Sequence, residues 1–166
     1  MSFDRHLFIP SKLGYIKGSE RPKVDCILCS VCKNDPRVDN LVLWKNDVVA
    51  VSINLYPYTS GHTLIFPIRH ITETIDFTDE EVLQMHKLQV FTIGVLKEYY
   101  NPSGFNIGYN VGYASGASID HVHQHIVPRY PRELGFVDII SGSKILIEDP
   151  MVTLEKMRKA FKNFKI

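Results

Sequence analysis

His121-Val122-His123-Gln124-His125-Ile126-Val127-Pro128 is the stretch on which the reading of this chain turns. Three histidines alternate with other residues and run into an apolar pair. Side chains of a strand alternate between faces, so the three imidazoles are expected along one side of a sheet. Same-face neighbours in a strand stand about 6.6 Å apart, and the outer two about 13 Å. Zinc–nitrogen bonds are only about 2.0–2.1 Å long. Two neighbouring rings can share one metal, but three cannot unless the strand bends sharply. At least one ring is therefore free for other chemistry.

The residues just before the row sharpen that chemistry. Val111-Gly112-Tyr113-Ala114-Ser115-Gly116-Ala117-Ser118 combines glycines with serines. Glycine lets backbone N–H groups approach an anion, and serine hydroxyls add donors. The stretch fits neither of the common glycine-rich phosphate motifs, so its position before the histidines carries the argument. An exposed imidazole has a pKa of about 6.5 and is mostly free base at neutral pH. Beside a phosphate it can attack phosphorus, splitting one difficult displacement into two easier ones. Neighbouring donors can stabilise charge on the phosphoryl oxygens.

A second constellation lies upstream. The three cysteines, Cys26, Cys29 and Cys32, fall within seven residues. An odd, clustered set does not make a disulfide framework. Cys26-x-x-Cys29 has zinc-knuckle spacing, and two thiolates need two more ligands to close a tetrahedron. His70 and one member of the histidine row are the best candidates. Cys32 is a possible replacement for one ligand. A redox role is disfavoured because no strand precedes the motif to build a βαβ unit.

At 166 residues and 45% hydrophobic content, the chain suits a single domain with a real core. A formal charge of +1 lacks the basic footprint of a nucleic-acid binder. No apolar run is long enough to span a membrane, and the start lacks a signal peptide's apolar block, so the expected location is the cytoplasm. Residues 1–25, broken by Pro10, Gly14, Gly18 and Pro22, read as a loose arm before a domain over 26–166. Residues 47–55 and 62–67 read as an antiparallel strand pair around a Pro/Gly turn. Residues 76–100 predict the long helix, with a Thr78–Glu81 capping box and Met85, Leu88, Phe91, Val95 and Tyr99 at helical spacing. Residues 105–110 and 119–127 read as further strands, and 150–164 as a shorter helix with Pro150 near its start. The expected fold is therefore α+β, a mainly antiparallel sheet of about five strands with one long central helix and a C-terminal helix. Trp44 is expected in the core, and Tyr56 and Tyr58 in the core or an interface. His62 and His86 carry no expected role. The basic residues of the last helix read as a solvated face.

Taken together, these residues resemble the histidine triad (HIT) superfamily of nucleotide hydrolases and transferases. His121 to Val127 matches its His-x-His-x-His pattern followed by two apolar residues. Asn54-Leu55-Tyr56-Pro57, Gly61-His62 and Pro67-Ile68-Arg69-His70 are similar to the family's first strand pair, and Gly104-Phe105-Asn106 with Asn110 to its next strand. Pro128-Arg129 resembles the fragile-histidine-triad branch, and within it the phosphorylases of diadenosine tetraphosphate. The resemblance implies that His123 is the nucleophile and that His125 contacts the phosphates. It implies His121 as a ligand of a structural zinc beside Cys26, Cys29 and His70. It implies Asn54 at the ribose, Asn110, Gly116 and Ser118 around the phosphates, and a homodimer with a sheet continuous across two subunits. No organic cofactor is implied. Three positions depart from relatives. Gln124 replaces an apolar residue and faces away from the histidines. Ala117 stands where the branch often has glutamine, and Tyr130 where the phosphorylases often have tryptophan.

The implied activity is cleavage of a dinucleoside polyphosphate through a covalent nucleotidyl-histidine, released by water or by phosphate. Two other functions compete. One is a zinc-dependent hydrolase with histidines of the row on a catalytic metal. It lacks a nearby general base, since Asp120 would point to the opposite face of a regular strand. The other is a non-catalytic module that binds adenosine nucleotides.

Overall fold

The computed structural model describes residues 22–131 and 148–166. The expected arm over 1–25 lies, up to residue 21, outside them, as does His6. In chain order the elements are α1 (Ile27–Cys32), β1 (Val42–Lys45), β2 (Val49–Ile53), β3 (Thr63–Pro67), α2 (Asp79–Tyr100), β4 (Gly104–Tyr109), β5 (Gln124–Arg129) and α3 (Pro150–Phe161). The strands form one sheet of order β1-β2-β3-β5-β4, and every neighbouring pair is antiparallel. The α+β class and the five-stranded sheet read from the sequence are those observed.

The sequence accounts for most of these elements directly. The β-branched run of β2 is wholly buried, as suits a strand covered on both faces. At the start of α2 the Thr78 hydroxyl accepts from Glu81 N–H, and the Glu81 carboxylate accepts from Thr78 N–H. Glu81 also pairs with Arg69 at 2.9 Å, which ties this cap to the end of β3. Asn101 ends α2 in the left-handed conformation. Asp149 caps α3, and Pro150 fills its first position, where no N–H partner is lost.

Alternation divides the sheet into two faces with different duties. Val49, Val51, Ile53, Ile65 and Ile126 pack under α2 and α3 against Leu88, Leu96, Met157 and Phe161. Ala50, Leu64 and Phe66 point the other way and meet Cys26, Leu28 and Cys32 around α1. His125 pairs with Leu64 and Gly108 in the ladder and so belongs to this second face. The chemistry thus sits on the face opposite the long helix. Gly61 closes the β2–β3 turn at φ +82°, and a Cβ there would come within 2.9 Å of Leu96 Cδ2. Only glycine satisfies both the turn and that close packing.

Several expectations change in detail. The histidine strand begins at Gln124, not Ile119, so His121 and His123 precede it. The β3–β5 register would next set Phe66 against His123 and then Pro67 against Val122. Proline has no N–H to give, so the ladder cannot continue there. Strand β1, with Trp44, was not legible as a strand. Trp44 is half-buried and meets Phe164 edge-on at 5.1 Å. Tyr99 is 42% exposed, whereas Thr92 and Leu96 are buried. The buried stripe follows 85, 88, 92, 95 and 96, and Tyr99 lies at its margin. The last helix stops at Phe161, and its Arg158 is not simply solvated, since it donates to the carbonyls of Asn40 and Val42. No helix among the described residues is long and apolar enough to cross a membrane.

Replacing Leu88, fully buried between α2 and the sheet, by alanine is expected to cost about 2–5 kcal/mol. Tyr99→Ala should cost less than about 1 kcal/mol. Urea titration of the two variants reads the difference, and equal losses would contradict the packing described.

Candidate functional site

Cys26, Cys29, His70 and His121 bring their ligand atoms within 4.8 Å of one another. Cys26 sits at the N-terminal cap of α1, so the short helix turns Cys29 back toward the same point. His70 follows β3, and His121 precedes β5. His121 Nδ1 lies 3.5 Å from both Cys26 Sγ and Cys29 Sγ, and His70 Nδ1 lies 3.4 Å from Cys29 Sγ. Around a tetrahedral ion with Zn–S of about 2.3 Å and Zn–N of about 2.05 Å, neighbouring S and N atoms stand about 3.5 Å apart. These three S···N spacings fit such a polyhedron. His121 Nε2–H donates to the carbonyl of Pro67 at 3.0 Å, which leaves Nδ1 as the lone-pair nitrogen facing the thiols. Burial pulls the His121 imidazole down to about 4, so the ring is neutral at pH 7. Burial and the neighbouring Cys26 push the Cys29 thiol up to about 12 in the absence of a cation. Cys32 is buried outside the group.

His123 is positioned by its neighbour's backbone. Its Nδ1–H donates to the carbonyl of His121 at 2.7 Å. The neutral ring then carries its lone pair on Nε2. Burial lowers the pKa of His123, partly offset by that same hydrogen bond. The ring is 4% exposed, yet it lines a cleft.

His125 is oriented by a chain of donors. Tyr58 N–H donates to His62 Nδ1 at 3.1 Å, so His62 carries its proton on Nε2. That proton goes to His125 Nδ1 at 2.9 Å. His125 is left with its own proton on Nε2, which lies 3.4 Å from the side-chain amide of Asn110. An amide turned with its oxygen toward the ring accepts it. Tyr58 stacks over His125 at 5.9 Å and 19° between planes, and His123 meets His125 at 4.8 Å.

The cleft collects the residues singled out in the sequence. Asn54, Asn110, Gly116, Ser118, His123 and His125 all line it. Its other wall is apolar and comes from α1 and the approach to β1, including Ile27, Leu28, Val31 and Leu41. Gly116 adopts φ +84°, which a side chain would resist. Two contributors escaped the sequence reading. His62 is wholly buried in the relay to His125, and Tyr58 stacks on both rings. Their signal was the alternation of Asn54, Tyr56 and Tyr58 before Gly61-His62, legible only once the turn folds them back on β5. Gln124, on the opposite face, donates to Tyr109 Oη at 3.1 Å. His86 is exposed on α2.

Residues 35–132 match the HIT domain family. The chain belongs to that family. A protein named AP-4-A phosphorylase from Mycobacterium tuberculosis is 38% identical over 109 residues, which cover 65% of this chain and 56% of that relative. This HIT protein thus spans just over half of that relative's length. The Bacillus subtilis protein named hit is 30% identical over 112 residues, covering 68% of this chain and 76% of the relative. The crystal structure of a zinc-bound histidine triad family protein from Mycobacterium smegmatis shares the fold, with a TM-score of 0.66 and 23% identity over 82% of this chain and 93% of that one. The HIT match holds His70 and the histidine row but begins after Cys26 and Cys29.

A thiol held up near 12 must lose its proton to ligate a metal. Loading zinc at pH 7 should therefore release at least one proton per chain, from Cys29. Calorimetry in buffers of different ionisation enthalpy measures this, and zinc uptake without proton release would contradict thiolate ligation.

Proposed function

We propose that this HIT protein is a nucleotidyl hydrolase or transferase that cleaves dinucleoside polyphosphates through a covalent nucleotide on His123. The observation that carries the proposal is the 2.7 Å bond from His123 Nδ1–H to the His121 carbonyl, which leaves Nε2 as a nucleophile at the cleft wall. The nucleoside lies against the apolar wall from α1, with Asn54 at the ribose. Asn110, Ser118 and the backbone near Gly116 face the phosphates. His123 Nε2 attacks the phosphorus next to the nucleoside. An N–P bond forms, the P–O bond to the bridging oxygen breaks, and its electron pair leaves with the departing phosphate. His125 Nε2–H, held as a donor by Tyr58 and His62, stabilises charge on the phosphoryl oxygens. Water or inorganic phosphate then attacks the same phosphorus and releases His123.

Zinc is the metal that the donor set supports. Two thiols and two imidazoles at tetrahedral spacing are a closed, structural set, with every position filled by the protein. Bound there, the ion would pin α1 and its apolar wall to the loop that carries the histidines. The rival in which the histidine row holds a catalytic metal gains no support, because His123 and His125 are outside the group and engaged elsewhere. A thiolate site with free cysteines suits the reducing cytoplasm.

The proposed unit is a homodimer. Strand β4 pairs only with β5 among the described residues, and Ile107 and Tyr109 on it are 42% and 37% exposed. An unprotected apolar edge invites a second sheet to continue it. Light scattering should give twice the 19.0 kDa chain mass, and Ile107→Lys should shift the protein toward the monomer. A monomeric wild-type protein would contradict this assembly.

Incubation with labelled diadenosine tetraphosphate and rapid acid-free quenching should trap a nucleotide on His123, and His123→Ala should lose at least about 10³-fold in kcat/KM. ADP and ATP formed only with inorganic phosphate mark a phosphorylase, and AMP and ATP without it a hydrolase. The nucleophile works as the free base, and burial lowers its pKa. The acid limb of kcat/KM is therefore expected below the ordinary histidine value of about 6.5, with activity falling only as pH drops through the lowered pKa. Full activity of the His123 variant, or an acid limb above 7, would overturn the mechanism.

A further inference from the structure

Ser52 interrupts the apolar run of β2, Val49-Ala50-Val51-Ser52-Ile53. It is 2% exposed, and alternation puts it with Ala50 on the cleft face of the sheet. The strand register fixes its place on that face. Ser52 pairs with Val42 on one side and Leu64 on the other, and Leu64 pairs with His125. Ser52 and His125 therefore lie in one row, two strands and about 9–10 Å apart. Asn54, whose N–H still pairs with the His62 carbonyl, follows Ser52 on the same face. One such step along a strand is about 6.6 Å. His125, Asn54 and Ser52 thus mark three separate points of one surface.

The surroundings of Ser52 are apolar. Leu28, Val31, Leu41 and Leu64 line the cleft with it. A hydroxyl buried among such residues is costly unless it is hydrogen-bonded. Among the described residues, the Ser52 hydroxyl has no hydrogen-bond partner. Two other polar atoms without partners among them, Thr63 Oγ1 and Gln124 Oε1, are sealed on the helix-facing side, whereas Ser52 borders the cleft. A serine hydroxyl offers one donor and two acceptor positions. The leucines and the valine leave all of these unused. A nucleobase suits the place, with ring faces to pack on hydrocarbon and a polar edge to meet the hydroxyl.

We propose that Ser52 is a specificity-determining residue of the nucleotide site, its hydroxyl hydrogen-bonding the six-membered-ring edge of a purine, where adenine carries N1 and the 6-amino group. This rests on the reading of the cleft as a nucleotide site with Asn54 at the ribose. Purine atoms next to the glycosidic bond stay beside the ribose and so beside Asn54. The N1 and 6-amino edge lies farthest from the sugar, and the step of about 6.6 Å from Asn54 to Ser52 leads to that edge.

Removing the ligand atom and the residue together isolates the contact. AMP, 1-deaza-AMP (which lacks N1), purine riboside monophosphate (which lacks the 6-amino group) and 7-deaza-AMP are titrated into the whole protein by calorimetry. The wild-type protein should bind AMP about three- to tenfold more tightly than one of the first two analogues, the worth of one hydrogen bond. In Ser52→Ala, AMP should weaken by about the same factor and that preference should vanish. Ser52→Thr, which keeps the hydroxyl, should retain it. 7-deaza-AMP, altered in the five-membered ring, should keep its ratio to AMP in all three proteins. Unchanged AMP affinity in Ser52→Ala, or a preference that survives loss of the hydroxyl, overturns the assignment, as does a wild-type protein that binds AMP no better than either of the first two analogues. The expected pattern without a nucleotide trapped on His123 would strike the covalent mechanism and leave Ser52 in its role. A wild-type protein that binds no AMP would strike the nucleotide site and the role of Ser52 with it.

Discussion

Three polar atoms of His121 serve different neighbours. Its Nε2–H goes to the carbonyl of Pro67, its Nδ1 faces the two thiols, and its backbone carbonyl takes the Nδ1–H of His123. One residue thereby joins the end of β3, the metal-binding group and the proposed nucleophile. The arrangement depends on the ladder stopping at Gln124. Had β5 continued through His121, that carbonyl would have been drawn into strand pairing. Pro67, which cannot donate, ends the pairing at the point where the histidine needs an acceptor instead.

The sheet separates stability from chemistry. Its helix-facing side is a mainly apolar layer in which few polar side chains, Thr63 and Gln124 among them, are buried. Among the described residues the opposite side is covered by short α1 and by loops, so imidazoles, amides and glycines can gather there without disturbing the core. α1 is too short to be stable by itself. It is held by burial of Leu28 and Cys32 on Ala50, Leu64 and Phe66 and, in the reading offered here, by the metal. Since α1 also supplies the apolar wall of the cleft, the proposed metal site and the proposed nucleoside end share one small element.

Much of this was legible in local pattern. The Thr78–Glu81 box, the β-branched run of β2 and the turn at Gly61 announce themselves through chemistry that acts over a few residues. So did the cysteine pair and the histidine row, because spacing limits what such side chains can do. What escaped depends on contacts between distant segments. His62 lies 63 residues from His125, and its place in the relay follows from the register of β3 on β5. Tyr99 has the right spacing for the core, but the helix packs on β2, β3 and β5, and Tyr99 lies at the margin of the stripe they bury. β1 is only four residues long and has a register irregularity against β2, too little pattern to separate it from a loop. The strand over His121 and His123 was overread because alternation persists where pairing does not.

The central claim is that the His121 carbonyl fixes the tautomer of His123. Nitrogen-15 NMR of the histidine rings, at a pH above their titration, measures it directly. The expected spectrum has His123 protonated at Nδ1, with Nε2 at the shift of a bare, pyridine-like nitrogen. A His123 protonated at Nε2, with Nδ1 bare, would leave the ring with no lone pair toward the phosphate and contradict the account.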